Sequence, residues 1–281
     1  MTEPALISRW IHELTWDVVE ARLKKDDVVL VPIGATEQHG HHAPIMLDTA
    51  WAITSSVAAA EIADCLIAPP MHYGWSYGHM GFPGTIGLRA ETLTAVAVEI
   101  GQCLVRHGFG RVIYVNGNRM ANLAPLEIAA VELHLETGAF AAVVDCGLVA
   151  KEEIAALMDG PPGTLGHAGE SETAMVLAHY PHLVRMENAP PNRQEEGSRP
   201  KLRELHITLD PRQEGNSWYV PRSPEAFREQ TIGRLGVVGD ARRATAEKGV
   251  AMVQAIGRGI ADGIADARSR PVTIQRPPIR G

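Results

Sequence analysis

The chain has 281 residues and a formal net charge of −7, enough for one large α/β domain or two small ones and set against a nucleic-acid partner, which would favour a basic face. Its three cysteines, Cys65, Cys103 and Cys146, are far apart and odd in number, which speaks against a disulfide framework or a Cys-rich zinc site. With no basic-then-apolar leader and no apolar run near the roughly 18–20 residues of a membrane span, a soluble cytoplasmic protein is expected.

Residues 7–25 carry a helical pattern that closes on Arg22-Leu23-Lys24-Lys25. The apolar run at 28–33 is continuous rather than alternating, which predicts a strand buried on both faces. A loop of Gly, His and Pro (34–47) leads into an Ala-rich helix from Thr49 to Ala63, with Asp48 near its start. A short strand is predicted at 65–68, followed by an irregular run from Met71 to Ile86 that reads as a long active-site loop. Leu88 to His107 predicts a helix, 111–115 a buried strand ending in Asn116-Gly117, Asn122 to Glu136 a helix, and Ala139 to Cys146 a strand. Residues 147–165 read as a helix and a Gly-Pro-Pro-Gly loop, Ser171 to Ala178 as a helix, and Thr245 to Ala265 as the final helix. The polar segment 187–231, with one strand candidate at 205–209, reads as an excursion that serves as a lid or oligomer contact. The basic, Pro-rich segment 269–281 reads as a flexible tail. Strands alternating with helices predict one α/β domain over 1–268: a mostly parallel sheet flanked by helices on both faces. Right-handed crossovers would gather its functional loops at one edge.

Four clusters carry possible chemistry. Glu37, His39 and Asp48 follow directly on the first strand, and carboxylates with imidazole suit a divalent ion such as zinc or manganese. The plain alternative is a polar loop in which Asp48 caps a helix. His41 and His42 share that loop. The second cluster is Gly166-His167-Ala168-Gly169-Glu170 with Glu172-Thr173. His167 is suited to proton transfer because its free pKa lies near neutrality; Glu170 is equally readable as a first-turn acid. The third is Asn116-Gly117-Asn118-Arg119-Met120-Ala121-Asn122, and the fourth His79 with Phe82-Pro83-Gly84-Thr85. Each of these two is weak alone.

Together the four pieces resemble the creatininase family. Gly34 to Pro44 with Asp48, the segment 73–85, His167 to Thr173 and residues 236–249 match family motifs in order, with Ala241 in place of a usual proline. The resemblance implies a parallel-rich α/β domain assembled as a homohexamer, with Glu37, His39 and Asp48 as metal ligands, Glu170 as a further ligand or acid, and His167 as proton carrier. One departure stands out: Asn118 and Met120 occupy positions where the family has histidine and, in creatininase proper, glutamate. The resulting expectation is a metal-dependent hydrolase with one strong site from Glu37, His39, Asp48 and Glu170. His79, Trp75, Arg119 and Asn118 would face the substrate. A small polar ring is expected there, a cyclic amide or a cyclic polyol ketone such as a dehydro-inosose. The alternatives are a two-metal amidohydrolase acting on creatinine or formamides, and a catalytically weak binding or regulatory protein.

Overall fold

Six consecutive apolar residues form β1 (Val28–Ile33), and all six are buried. The computed structural model describes residues 6–160, 166–190, 221 and 223–278. Beside β1 lie β2 (Leu66–Ile67), β3 (Arg111–Asn116) and β4 (Phe140–Asp145), in the order β2-β1-β3-β4. All three pairings are parallel, and Val28↔Arg111 through Ile33↔Asn116 sets the central register. β2 ends after two residues where its neighbour presents Pro32, which has no N–H to continue the ladder.

Helices cover both faces of the sheet, which is why β1 has no polar side. On one face, Leu30, Ile113 and Val115 pack under α2 (Leu47–Ala63), α6 (Glu170–His179) and α8 (Ala246–Ser269). On the other, Val29, Val31, Val112 and Tyr114 meet α3 (Ala90–His107) and α4 (Arg119–Thr137). α1 (Trp16–Leu23), α5 (Lys151–Leu157) and α7 (Pro224–Gln230) are shorter elements at the periphery. The single α/β domain with its parallel sheet is as the sequence predicts.

Two elements depart from the predicted bounds. The expected helix 7–25 is only α1 plus a 3-10 turn at Ile11–Glu13, because Arg9 and Trp10 are drawn alongside β2; Ile67 N–H donates to the Arg9 carbonyl at 2.8 Å. α8 runs on to Ser269, and the segment after it is tied down. Gln275 N–H donates to the Thr137 carbonyl at 2.7 Å, and Arg106 donates to the Pro277 carbonyl at 2.6 Å. The proposed excursion's centre, its strand candidate at 205–209 and the Gly-Pro-Pro-Gly loop beyond Gly160 lie outside the described residues.

The sheet's carboxyl rim positions the chemistry through two glycines. A Cβ on Gly34, just after β1, would overlap the Thr49 backbone, and one on Gly117, just after β3, would overlap the Asp48 carbonyl. Their bare backbones let the first turn of α2 settle onto the strand ends. Gly117→Ala is therefore expected to lower stability by about 1–3 kcal/mol in urea unfolding, since a well-packed contact must open. An unchanged midpoint would show that α2 is not seated this way.

Candidate active site

The loop after β1 folds back sharply: Glu37 N–H donates to the Ile45 carbonyl at 2.9 Å, and His39 bridges Ala43 around Gly40, whose φ of +70° favours glycine. The turn points Glu37 and His39 inward, both almost fully buried. His39 Nδ1–H donates to the Glu37 carbonyl at 3.1 Å, which leaves the Nε2 lone pair facing the pocket. That atom lies 3.3 Å from Asp48 Oδ1 and 3.7 Å from Glu172 Oε2. His39 Nε2 and Glu37 Oε2 are buried with no hydrogen-bond partner among the described residues. Two lone-pair atoms abandoned beside carboxylates are what a cation would satisfy. Glu37, His39 and His167 offer ligand atoms within 4.8 Å of one another.

Burial dominates the electrostatics. Desolvation, then the nearby Asp48, pushes the Glu37 carboxyl up to about 8. Desolvation raises Asp48 to about 8 and Glu172 to about 7. His167 is held well below the usual imidazole range by desolvation and by the neighbouring His39 and His79 rings. Its Nε2–H donates to the Gln38 carbonyl at 2.6 Å, so Nδ1 carries the lone pair, 3.9 Å from Glu37 Oε1. The His167 ring centroid is 4.3 Å from that of His39 and 4.4 Å from that of His79.

The structure brings Glu172, and not Glu170, into this cluster. The two acids sit two positions apart at the start of α6, where helical geometry turns them to different sides. Glu170 is 1% exposed, and both its oxygens are occupied elsewhere: Asp159 and Gly160 donate backbone N–H at 3.0 and 3.1 Å, and Lys248 Nζ lies 2.5 Å away. Glu170 therefore anchors α6 to α8, and Glu172, not Glu170, stands beside His39. Glu172 also accepts the Ala168 N–H at 2.6 Å, which ties it to the His167 turn.

The other expected residues divide. Asn118 is in the site as an orienting group: Nδ2 donates to Asp48 Oδ2 at 3.0 Å while Oδ1 accepts the Ala121 N–H, capping α4. His79 Nε2 lies 3.3 Å from Glu37 Oε1, and its ring lies tilted against Phe227 of α7, with centroids 4.7 Å apart. The Trp75 ring lies tilted against Tyr77 with centroids 4.8 Å apart and packs partly into the α3–α4 core, while its backbone N–H donates to Asn122 Oδ1. Arg119 opens α4, with its side chain outside the described part of the structure, as is that of Met120. His41 is exposed. His42 is buried, with Nε2 3.0 Å from Thr173 Oγ1, and desolvation lowers its pKa to about 4; it is a neutral link between the metal-type loop and α6. Phe227, from the segment read as an excursion, escaped the sequence reading.

Comparison with known proteins identifies the family and the fold. The family model for creatininase, described as creatinine amidohydrolase, matches residues 12–264. The chain is 34% identical over 197 residues to a creatinine amidohydrolase from Pseudomonas putida, covering 64% of this chain and 75% of that protein. It is 30% identical over 243 residues to a mycofactocin precursor peptide peptidase from Mycolicibacterium smegmatis, 84% of each. A 3-dehydro-scyllo-inosose hydrolase from Thermotoga maritima is 28% identical over 263 residues, 88% of this chain and 79% of that one. Among solved structures, a creatininase variant described as "Zn-Zn type" superposes with a TM-score of 0.76 at 28% identity, covering 94% of this chain and 100% of that one. A structure described as "Creatininase Mn" gives 0.74 at 27%, with the same coverage. The chain belongs to the creatininase family of metal-dependent hydrolases.

Proposed function

We propose that this hydrolase opens a small polar ring, a cyclic amide or a cyclic polyol ketone, with His167 as the proton carrier. The observation that carries the reading is the pair of orphaned buried atoms, Glu37 Oε2 and His39 Nε2, beside a neutral imidazole. Relatives named creatinine amidohydrolase and 3-dehydro-scyllo-inosose hydrolase support the substrate class. Glu37, His39, Asp48 and Glu172 would hold a divalent ion, zinc or manganese. Such an ion supplies Lewis acidity, polarising a carbonyl and making water acidic enough to attack near neutral pH.

The chain's own groups do the rest. Asn118 fixes the Asp48 carboxyl from one side. His167, protonated on Nε2 toward the Gln38 carbonyl, has Nδ1 free to take a proton and deliver it to the leaving atom. Phe227 packs its ring against that of His79. Trp75 and Arg119 are proposed to line the approach. Retention of so many buried ionisable groups favours a working catalyst over a weak binding protein, because each must be desolvated.

Turnover of creatinine, a formamide, a cyclic polyol ketone and a short peptide, with protein stripped by chelator and reloaded with zinc or manganese, tests this reading. Metal-restored activity on a ring substrate is expected. Activity only on the peptide would overturn the ring assignment, and activity indifferent to chelator would overturn the metal role. His39→Ala is expected to remove ion uptake and turnover together.

Glu172→Gln should weaken ion binding by more than the roughly 10–100-fold lost when a group that only supports a ligand is removed. Lys248→Met should instead leave binding nearly intact and cost about 3 kcal/mol of stability, because it strands buried Glu170. The reverse pattern would restore Glu170 to the ligand set.

Protons give an independent test. Glu37 and Asp48, near 8 in the folded metal-free protein, ordinarily titrate near 4 when unfolded. The folded state thus binds more protons between those values, and the metal-free protein should lose stability as pH rises from about 4 to 8. Ion uptake at pH 7 should displace these protons, seen as a buffer-dependent heat in calorimetry. A heat independent of buffer ionisation would contradict the assignment.

A further inference from the structure

Gln38 stands between Glu37 and His39, and its side chain is 5% exposed. The amide is fixed in one sense. Oε1 accepts the Gly40 N–H at 2.9 Å, and Nε2 donates to the Gly236 carbonyl at 3.0 Å, so exchanging O and N would spoil both bonds. One N–H of Nε2 remains, with two imidazole nitrogens each 3.0 Å away, His79 Nδ1 and His167 Nε2. His167 Nε2 already carries a hydrogen, given to the Gln38 carbonyl at 2.6 Å, and cannot accept another. The second amide hydrogen therefore goes to His79 Nδ1, and the His79 proton must sit on Nε2, 3.3 Å from Glu37 Oε1.

From this geometry we infer that Gln38 is a positioning residue that sets the tautomers of both active-site imidazoles, His167 through its backbone carbonyl and His79 through its side-chain amide. Its consequence is asymmetric. His79 is presented to the pocket as a donor and His167 as an acceptor, so the two rings cannot exchange roles. Gly236 belongs to the same device. It has a φ of +82°, and a Cβ there would overlap the Gln38 amide, so the segment before α8 is shaped to admit that group. The catalytic consequence rests on the hydrolase reading above; the tautomers themselves do not.

The test is nitrogen-15 NMR of the imidazoles in the metal-free, full-length protein, where two-bond couplings distinguish Nδ1–H from Nε2–H. In the unsubstituted chain, His79 and His167 should both be Nε2–H, and His39 Nδ1–H. In Gln38→Met, which keeps the volume and loses the amide, His79 should exchange between tautomers while His167 stays Nε2–H. With ion reloaded at saturation, kcat of this variant should fall about 10–100-fold with KM little changed, as for removal of other orienting partners. A His79 proton on Nδ1 in the unsubstituted protein overturns the inference even if no variant folds, and so does a Gln38→Met protein with unaltered tautomers. Correct tautomers in a protein that turns over none of the ring substrates would sustain the inference and sink the substrate reading instead.

Discussion

Lone pairs on Glu37 Oε2 and His39 Nε2 are carried into a pocket shielded from water, and among the described residues no hydrogen bond answers them. A buried polar atom left unpaired costs about 1–3 kcal/mol, and more when it bears charge. Asp48 and Glu172 add acid to the same place, and desolvation by burial pushes the carboxyls of Glu37 and Asp48 up to about 8 and that of Glu172 up to about 7, so the metal-free site holds protons. Much else in the molecule is arranged to maintain this concentration of donors.

The sheet supplies the floor. β1 and β3 end side by side, and Gly34 and Gly117 keep their ends low enough for α2 to deliver Asp48 from above. Asn122 donates to the Gly34 carbonyl and accepts from Trp75 N–H, which pins the loop bearing His79 to the same rim. On the far side, the Lys248–Glu170 pair locks the first turn of α6 to α8, so that Glu172 and His167 are presented from a fixed helix end. Strands, two helix starts and a pinned loop thus converge on one small volume, and a domain of this class places its chemistry at the carboxyl edge of its sheet.

Much of this was legible in the sequence. β1 could be read because a run buried on both faces has no alternation to confuse, and Glu37, His39 and Asp48 because one short loop holds them. Glu170 and Glu172 could not be told apart by residue type. Their difference is one of helical phase, and the partner that claims Glu170 lies 78 residues further on. Asn118 reads as the loss of a family ligand, yet in three dimensions it caps α4 and steers Asp48. Phe227 packs against His79 from a segment whose polar composition gave no hint of it. Local pattern therefore locates the site, while long-range pairing decides which of two similar side chains faces it.

Zinc-edge anomalous diffraction from crystals of chelator-stripped and zinc-reloaded protein tests the central claim most directly. The account predicts a peak enclosed by Glu37, His39 and Asp48 in the reloaded crystals and none there in the stripped ones. Reloaded crystals with no peak at that position, and with Glu37 Oε2 and His39 Nε2 bonded instead to protein groups or ordered water, would contradict it.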